Sequence, residues 1–137
     1  MDAQTYNRNA DFAALVGRIF LAAIFIISGF GKITGYAATA GYMAHAGLPM
    51  VGILLPLTIL TELGGGLLLA FGYKARWAAL WLFLFLIPTT FIFHKFWGID
   101  PSMVQNMQTH FMKNFAIMGG MLMVFAFGPG ALSIDKR

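Results

Sequence analysis

Four stretches of this chain are apolar for long enough to cross a bilayer, and the short polar breaks between them set the architecture. They run approximately over 12–31, 52–72, 77–97 and 108–128, each near the ~20 residues that an α-helix needs to span a hydrocarbon core. Tyr73-Lys74-Ala75-Arg76 is a tight basic turn, and Gly98-Ile99-Asp100-Pro101 breaks the chain after the third span. The one long connection, residues 35–50, contains a stretch from Tyr36 to Ala46 that reads as a short helix stopped by Gly47-Leu48-Pro49. Tyr36, Tyr42 and His45 suit the headgroup level, where amphipathic rings collect. The expected fold is all-α: a four-transmembrane-helix bundle, one membrane domain over 1–137, with a short interfacial or re-entrant helix between spans 1 and 2. Residues 1–10 read as a mobile polar tail and residues 133–137 as a short basic one.

The polar positions inside the spans carry the chemistry. Thr61-Glu62-Leu63-Gly64-Gly65-Gly66 places a carboxylate at the midpoint of the second span, and an ionisable group there faces a partner or a water-filled cavity. The three glycines each weaken the helix by roughly 0.5–1 kcal/mol relative to Ala, so close packing must compensate. Thr58, Glu62 and Gly65 share a face, extended by Leu55 and Leu69. In the first span, heptad steps put Arg18, Phe25 and Lys32 on one face, with Ala22 and Gly29 between them and Ser28 beside them. This face is expected to look into the bundle. In the third span Pro88 marks a kink, and Thr90 and His94 stand at i, i+4. Counting back ~20 residues from Gly128 draws Lys113 and Asn114 into the fourth span. Gly64, Gly65, Gly66, Gly119 and Gly120 are the helix-packing candidates, since small residues let membrane helices approach closely.

Counting 1.5 Å per residue from the terminal side places Arg18 about 9 Å deep, Glu62 about 15 Å, Lys113 about 22 Å, His94 about 27 Å and Lys32 about 30 Å. Glu62 is then bracketed by Arg18 and Lys113, either of which could neutralise it. The alternative for both cations is to snorkel to the headgroups, and for Glu62 a buried pair that only fixes helix register.

Composition agrees with the pattern. The chain is 59% hydrophobic and 10% charged, against about 25% charged in a soluble domain. There is no cysteine, which excludes thiolate, disulfide, Cys-zinc and Fe–S chemistry by the chain itself. The net charge of +4 is scattered over helix ends, so it reads as topology and not as nucleic-acid binding. Arg8, Lys74, Arg76, Lys136 and Arg137 on the terminal side outnumber Lys32, Lys95 and Lys113, which puts both termini in the cytoplasm. The three histidines have no ligand-like spacing, no metal site is assigned, and a haem is only weakly supported. The methionines read as adaptable packing.

The chain resembles the DoxX family of small membrane proteins over nearly its whole length. The matching pieces are Gly17-Arg18 and Ser28-Gly29-Phe30-Gly31-Lys32 in the first span, and Tyr42-Met43 with Gly47-Leu48-Pro49 in the connection. Glu62-Leu63-Gly64-Gly65-Gly66 and Leu69-Ala70-Phe71-Gly72 follow in the second, and Thr89-Thr90-Phe91-Ile92-Phe93-His94 in the third. The fourth contributes the run from Phe111 to Gly120. The resemblance implies a four-helix bundle in a bacterial inner membrane and an association with the membrane subunit of thiosulfate:quinone oxidoreduction.

Two functions are expected from this. In the first, the chain is a subunit or partner of a membrane oxidoreductase, not catalytic alone. A quinone head lies near Lys113, Asn114 and His94, Glu62 is in the proton path, and the approach is between spans 3 and 4. In the second, it is a non-enzymatic assembly or binding module whose buried charges are structural, with a homo-oligomer or oxidoreductase subunits as partners. A small transporter built around Glu62 is a third, less favoured reading.

Overall fold

The computed structural model describes residues 2–137, and these residues form five helices. Four are long and apolar enough to span a membrane, and the structure is all-helical among the described residues. Helix α1 is Ala3–Thr34, α2 is Tyr36–His45, α3 is Val51–Phe71, α4 is Ala75–Phe93 and α5 is Pro101–Phe127. The helix α2 lies between the first two spans, as the Tyr36–Ala46 pattern predicts, and Gly47 with φ +87° ends it.

Two segments differ from expectation. Residues 3–10 are not a loose tail but the first turns of α1, because Asp2 caps the helix by accepting from Thr5 N at 2.7 Å and no Gly or Pro interrupts it before Gly17. At 32 residues, α1 is about 48 Å long, more than a ~30 Å hydrocarbon core requires. Residues 133–137 are not a loose tail either. Ile134 N donates to Phe71 O at 3.1 Å and Asp135 N to Gly72 O at 2.9 Å, so the C-terminal segment is strapped across the end of α3. The Asp135 carboxylate then accepts from Lys74 N and Ala75 N, both at 2.9 Å, and caps α4.

Helix α3 is not α-helical throughout. Leu60–Gly64 form a π turn, a wider turn that occurs mostly as a single insert in α-helices and often at functional sites. Below it, toward the termini, α3 packs on α1 and α4 around a core that includes Ala22, Phe25, Leu69, Leu82 and Met121. Above it, Val51–Ile59 approaches α1 and α2 but not α4. The bundle is closed at the terminal end and splayed at the α2 end.

Candidate functional site

Glycines set the level at which α1 and α3 meet. A β-carbon on Gly29 would lie 3.0 Å from Leu63 N, and one on Gly66 would lie 2.9 Å from Ile26 Cγ1. The two backbones are therefore nearly in contact over the turn that follows Glu62. The inward face of α1 is the predicted one: Arg18, Ala22, Phe25 and Gly29 are all buried.

Lys32, one turn beyond Gly29, folds back toward this contact. Its Nζ lies 2.8 Å from Glu62 Oε1 and donates to Ser28 Oγ at 2.7 Å. Glu62 is 4% exposed, so the pair offsets part of the solvation that the carboxylate has lost. The partner is neither Arg18 nor Lys113. Depth counting misplaces Arg18 and Lys32 against Glu62 because the helices do not start level. Arg18 sits beside Ala70 near the end of α3, which brings Lys32 within reach of Glu62.

Arg18 does not snorkel. It is 3% exposed and donates to backbone carbonyls: Pro129 O, Leu132 O at 2.9 Å, and Ala70 O at 3.3 and 3.4 Å from its Nη2 and Nε. These oxygens lie at or just past the C-terminal ends of α3 and α5, where the helix dipole is negative and favours a cation. A guanidinium with five fixed donors suits several carbonyls at once.

Lys113 is exposed on the outer surface of α5 beside Gln105, Gln108 and Thr109, so it does not join the Glu62 site. Its neighbour Asn114 does point inward, and its Nδ2 donates to the buried Thr90 Oγ1 at 3.0 Å, tying α5 to α4. His94, just beyond the last turn of α4, stacks on His110 at 5.2 Å between ring centroids, and keeps its buried Nδ1 without a hydrogen-bond partner among the described residues. Burial first, and His110 second, hold the His94 pKa below its ordinary value. Of the small residues, Gly65 abuts Leu82 and Gly120 abuts Leu21. A β-carbon on Gly119 would meet nothing, and one on Gly64 would meet only Leu60 of its own helix.

Between the splayed halves lies a cavity of about 790 Å³. Its walls are mostly apolar, and Ser28, Lys32 and Glu62 line it together with Tyr42, His94 and Asn114. Its size falls within the ~300–1,000 Å³ typical of small-molecule sites. Two contributors, Trp81 and Tyr42, are not among the site residues expected from the sequence. Trp81 lines the cavity and its Nε1 donates to Thr61 Oγ1 of the π turn at 3.1 Å. Tyr42 of α2 stacks on Phe93 of α4 at 5.5 Å. A Trp among aliphatic residues is a signal in principle, since an indole N–H within a bundle needs a partner.

The family model that matches this chain is DoxX, over residues 13–95. The chain belongs to the DoxX family. It is 45% identical over 128 residues to the inner membrane protein YqjF of Escherichia coli, covering 92% of each chain. It is 33% identical over 123 residues to the inner membrane protein YphA of the same organism, covering 90% of this chain and 88% of that one. A more distant likeness, 29% over 80 residues, links 58% of this DoxX-family chain to 26% of the ER-derived vesicles protein ERV29 of Saccharomyces cerevisiae. No solved structure matches it significantly.

Proposed function

We propose that this DoxX-family protein sits in a bacterial inner membrane with both termini in the cytoplasm, and binds a quinone-class molecule there on behalf of a membrane oxidoreductase. The inner-membrane placement is supported by the names of its E. coli relatives. The orientation is supported by the excess of Lys and Arg at the terminal end. The observation that carries the binding reading is the Lys32–Glu62 pair in the wall of an apolar cavity. An ammonium donates to a quinone carbonyl, and a carboxylate accepts from a quinol hydroxyl. The one pair thus offers a hydrogen bond to either oxidation state, while the apolar walls take the ring. The chain has no cysteine, so thiol or iron–sulfur electron transfer belongs to a partner subunit.

Native mass spectrometry and solvent extraction of protein purified in mild detergent test this. The wild type is expected to retain a quinone, and the double variant Lys32→Met/Glu62→Leu is expected to lose it. Wild-type protein that neither retains nor takes up a quinone ends the reading. The second reading, an assembly module, draws on the closure of the Ser28–Lys32–Glu62 set within the bundle. The same spectra would then show extra protein copies or subunits and no small molecule.

A further inference from the structure

Above the π turn, α3 and α4 part, and the gap between them is a continuation of the cavity. Leu57 on α3 and Trp81 on α4 both line the cavity, yet they are 52% and 58% exposed on the outside of the bundle. Pro88, further along α4, is likewise a lining residue and exposed. The cleft has definite ends. Trp81 and Thr61 bridge it with a hydrogen bond at the π turn, and the Tyr42–Phe93 stack closes it at the α2 end. Between those bridges no backbone approach joins Val51–Ile59 to α4. In a four-span membrane protein this side of the bundle faces acyl chains, and a side opening there is accessible from the bilayer without passing through water.

We infer that the cleft between the outer half of α3 and α4 is a lateral portal and tail-binding groove. It admits a single-chain amphiphile from the bilayer, lodging the head at Lys32–Glu62 and the hydrocarbon or isoprenoid tail along Leu57, Trp81 and Pro88. This rests on the quinone reading of the cavity for the identity of the head. The sequence-based approach between spans 3 and 4 is replaced by one between spans 2 and 3. There α3 and α4 part beyond the π turn, whereas α4 and α5 are held together by ring contacts from Trp77–Phe125 to Phe91–Phe111. The head is drawn to the charged pair in the wall. The tail is left along the apolar edge of the cleft, in contact with the acyl chains it came from.

The experiment uses full-length protein in nanodiscs with Trp77→Phe and Trp97→Phe, so that Trp81 is the sole tryptophan. A tail-less benzoquinone and the same ring carrying a decyl chain are compared, each at a fixed mole fraction in the bilayer. Quenching of Trp81 fluorescence reports binding. The decyl compound is expected to bind roughly tenfold more tightly than the ring alone at equal membrane concentration, from tail packing in the groove. Leu57→Phe narrows the cleft from its exposed edge and is expected to remove that gain, the ring compound measured in the same variant serving as the reference. Ile24→Phe, at the exposed edge on α1, is expected to keep it. Ring binding with no tail gain, or a gain lost with Ile24→Phe and kept with Leu57→Phe, overturns the portal and leaves the quinone reading standing. Absence of ring binding in the wild type overturns both.

Discussion

Gly29 of α1 rests against the backbone nitrogen of Leu63 in the π turn of α3, with 3.0 Å left for any β-carbon. That contact fixes which residues of the two helices are level, and so which cation meets Glu62. Gly29→Ala must push the helices apart, and a loss of about 1–3 kcal/mol is expected, as for overpacking generally. Gly119→Ala, where a β-carbon meets nothing, is expected to fall within about 0.5 kcal/mol of wild type. Thermal unfolding in detergent, with both variants measured side by side, checks the contrast.

The Lys32–Glu62 pair gives a double-mutant cycle with a definite sign. Lys32→Met alone strands the buried Glu62 carboxylate and is expected to cost about 3–5 kcal/mol, and Glu62→Leu alone less, since Lys32 is a quarter exposed and keeps Ser28. The double variant is expected to cost clearly less than the sum of the two. Additive losses would mean that the two charges do not interact.

Arg18→Lys keeps the charge but offers three donors from a single nitrogen in place of a planar fork. The carbonyls of Ala70, Pro129 and Leu132 cannot all be served, and a loss of about 2–4 kcal/mol is expected from the carbonyls left unpaired. Hydrogen exchange is expected to quicken at both the end of α3 and residues 129–133, since one side chain ties them together.

Asp135→Ala removes the cap of α4 and is expected to cost about 0.5–2 kcal/mol, the range for an N-cap side chain. Exchange at Lys74 and Ala75 should rise in the same variant. Asp135→Asn keeps one acceptor, and its thermal midpoint is expected to lie between those of the Ala variant and the wild type.

His94 supplies a pH dependence. Its folded pKa lies below its ordinary value, so the unfolded chain takes up the proton first as pH falls. Stability is therefore full above about pH 6.5 and declines as pH drops through that value toward the folded pKa. Thermal midpoints between pH 8 and pH 5 are expected to show a decline that His94→Gln flattens.

Much of this arrangement can be read from residue types and periods. The inward face of α1, the isolated acid at Glu62 and the short helix after Gly35 all follow from helical spacing and from the cost of a charge in lipid. The partner of Glu62 cannot be read that way, because spacing along one helix says nothing of its vertical offset from the next. That offset is set by which glycine meets which backbone atom. Asp135 is invisible for a different reason. Ser133-Ile134-Asp135-Lys136-Arg137 has the composition of a solvated end, and its role arises only when it folds back onto α4. Lys113 misleads because depth along α5 draws it into the bundle, while its position around the helix turns it outward.

The π turn at Leu60–Gly64 holds one residue more than ordinary helical winding would need. Everything beyond it toward Val51 is thereby rotated out of phase with α4. Deleting a single residue there is expected to turn the upper part of α3 about its axis and change the face it presents to α4, even with every polar side chain retained. The relation of the upper part of α3 to its neighbour is thus set by chain count at this one place, and not by side-chain chemistry alone.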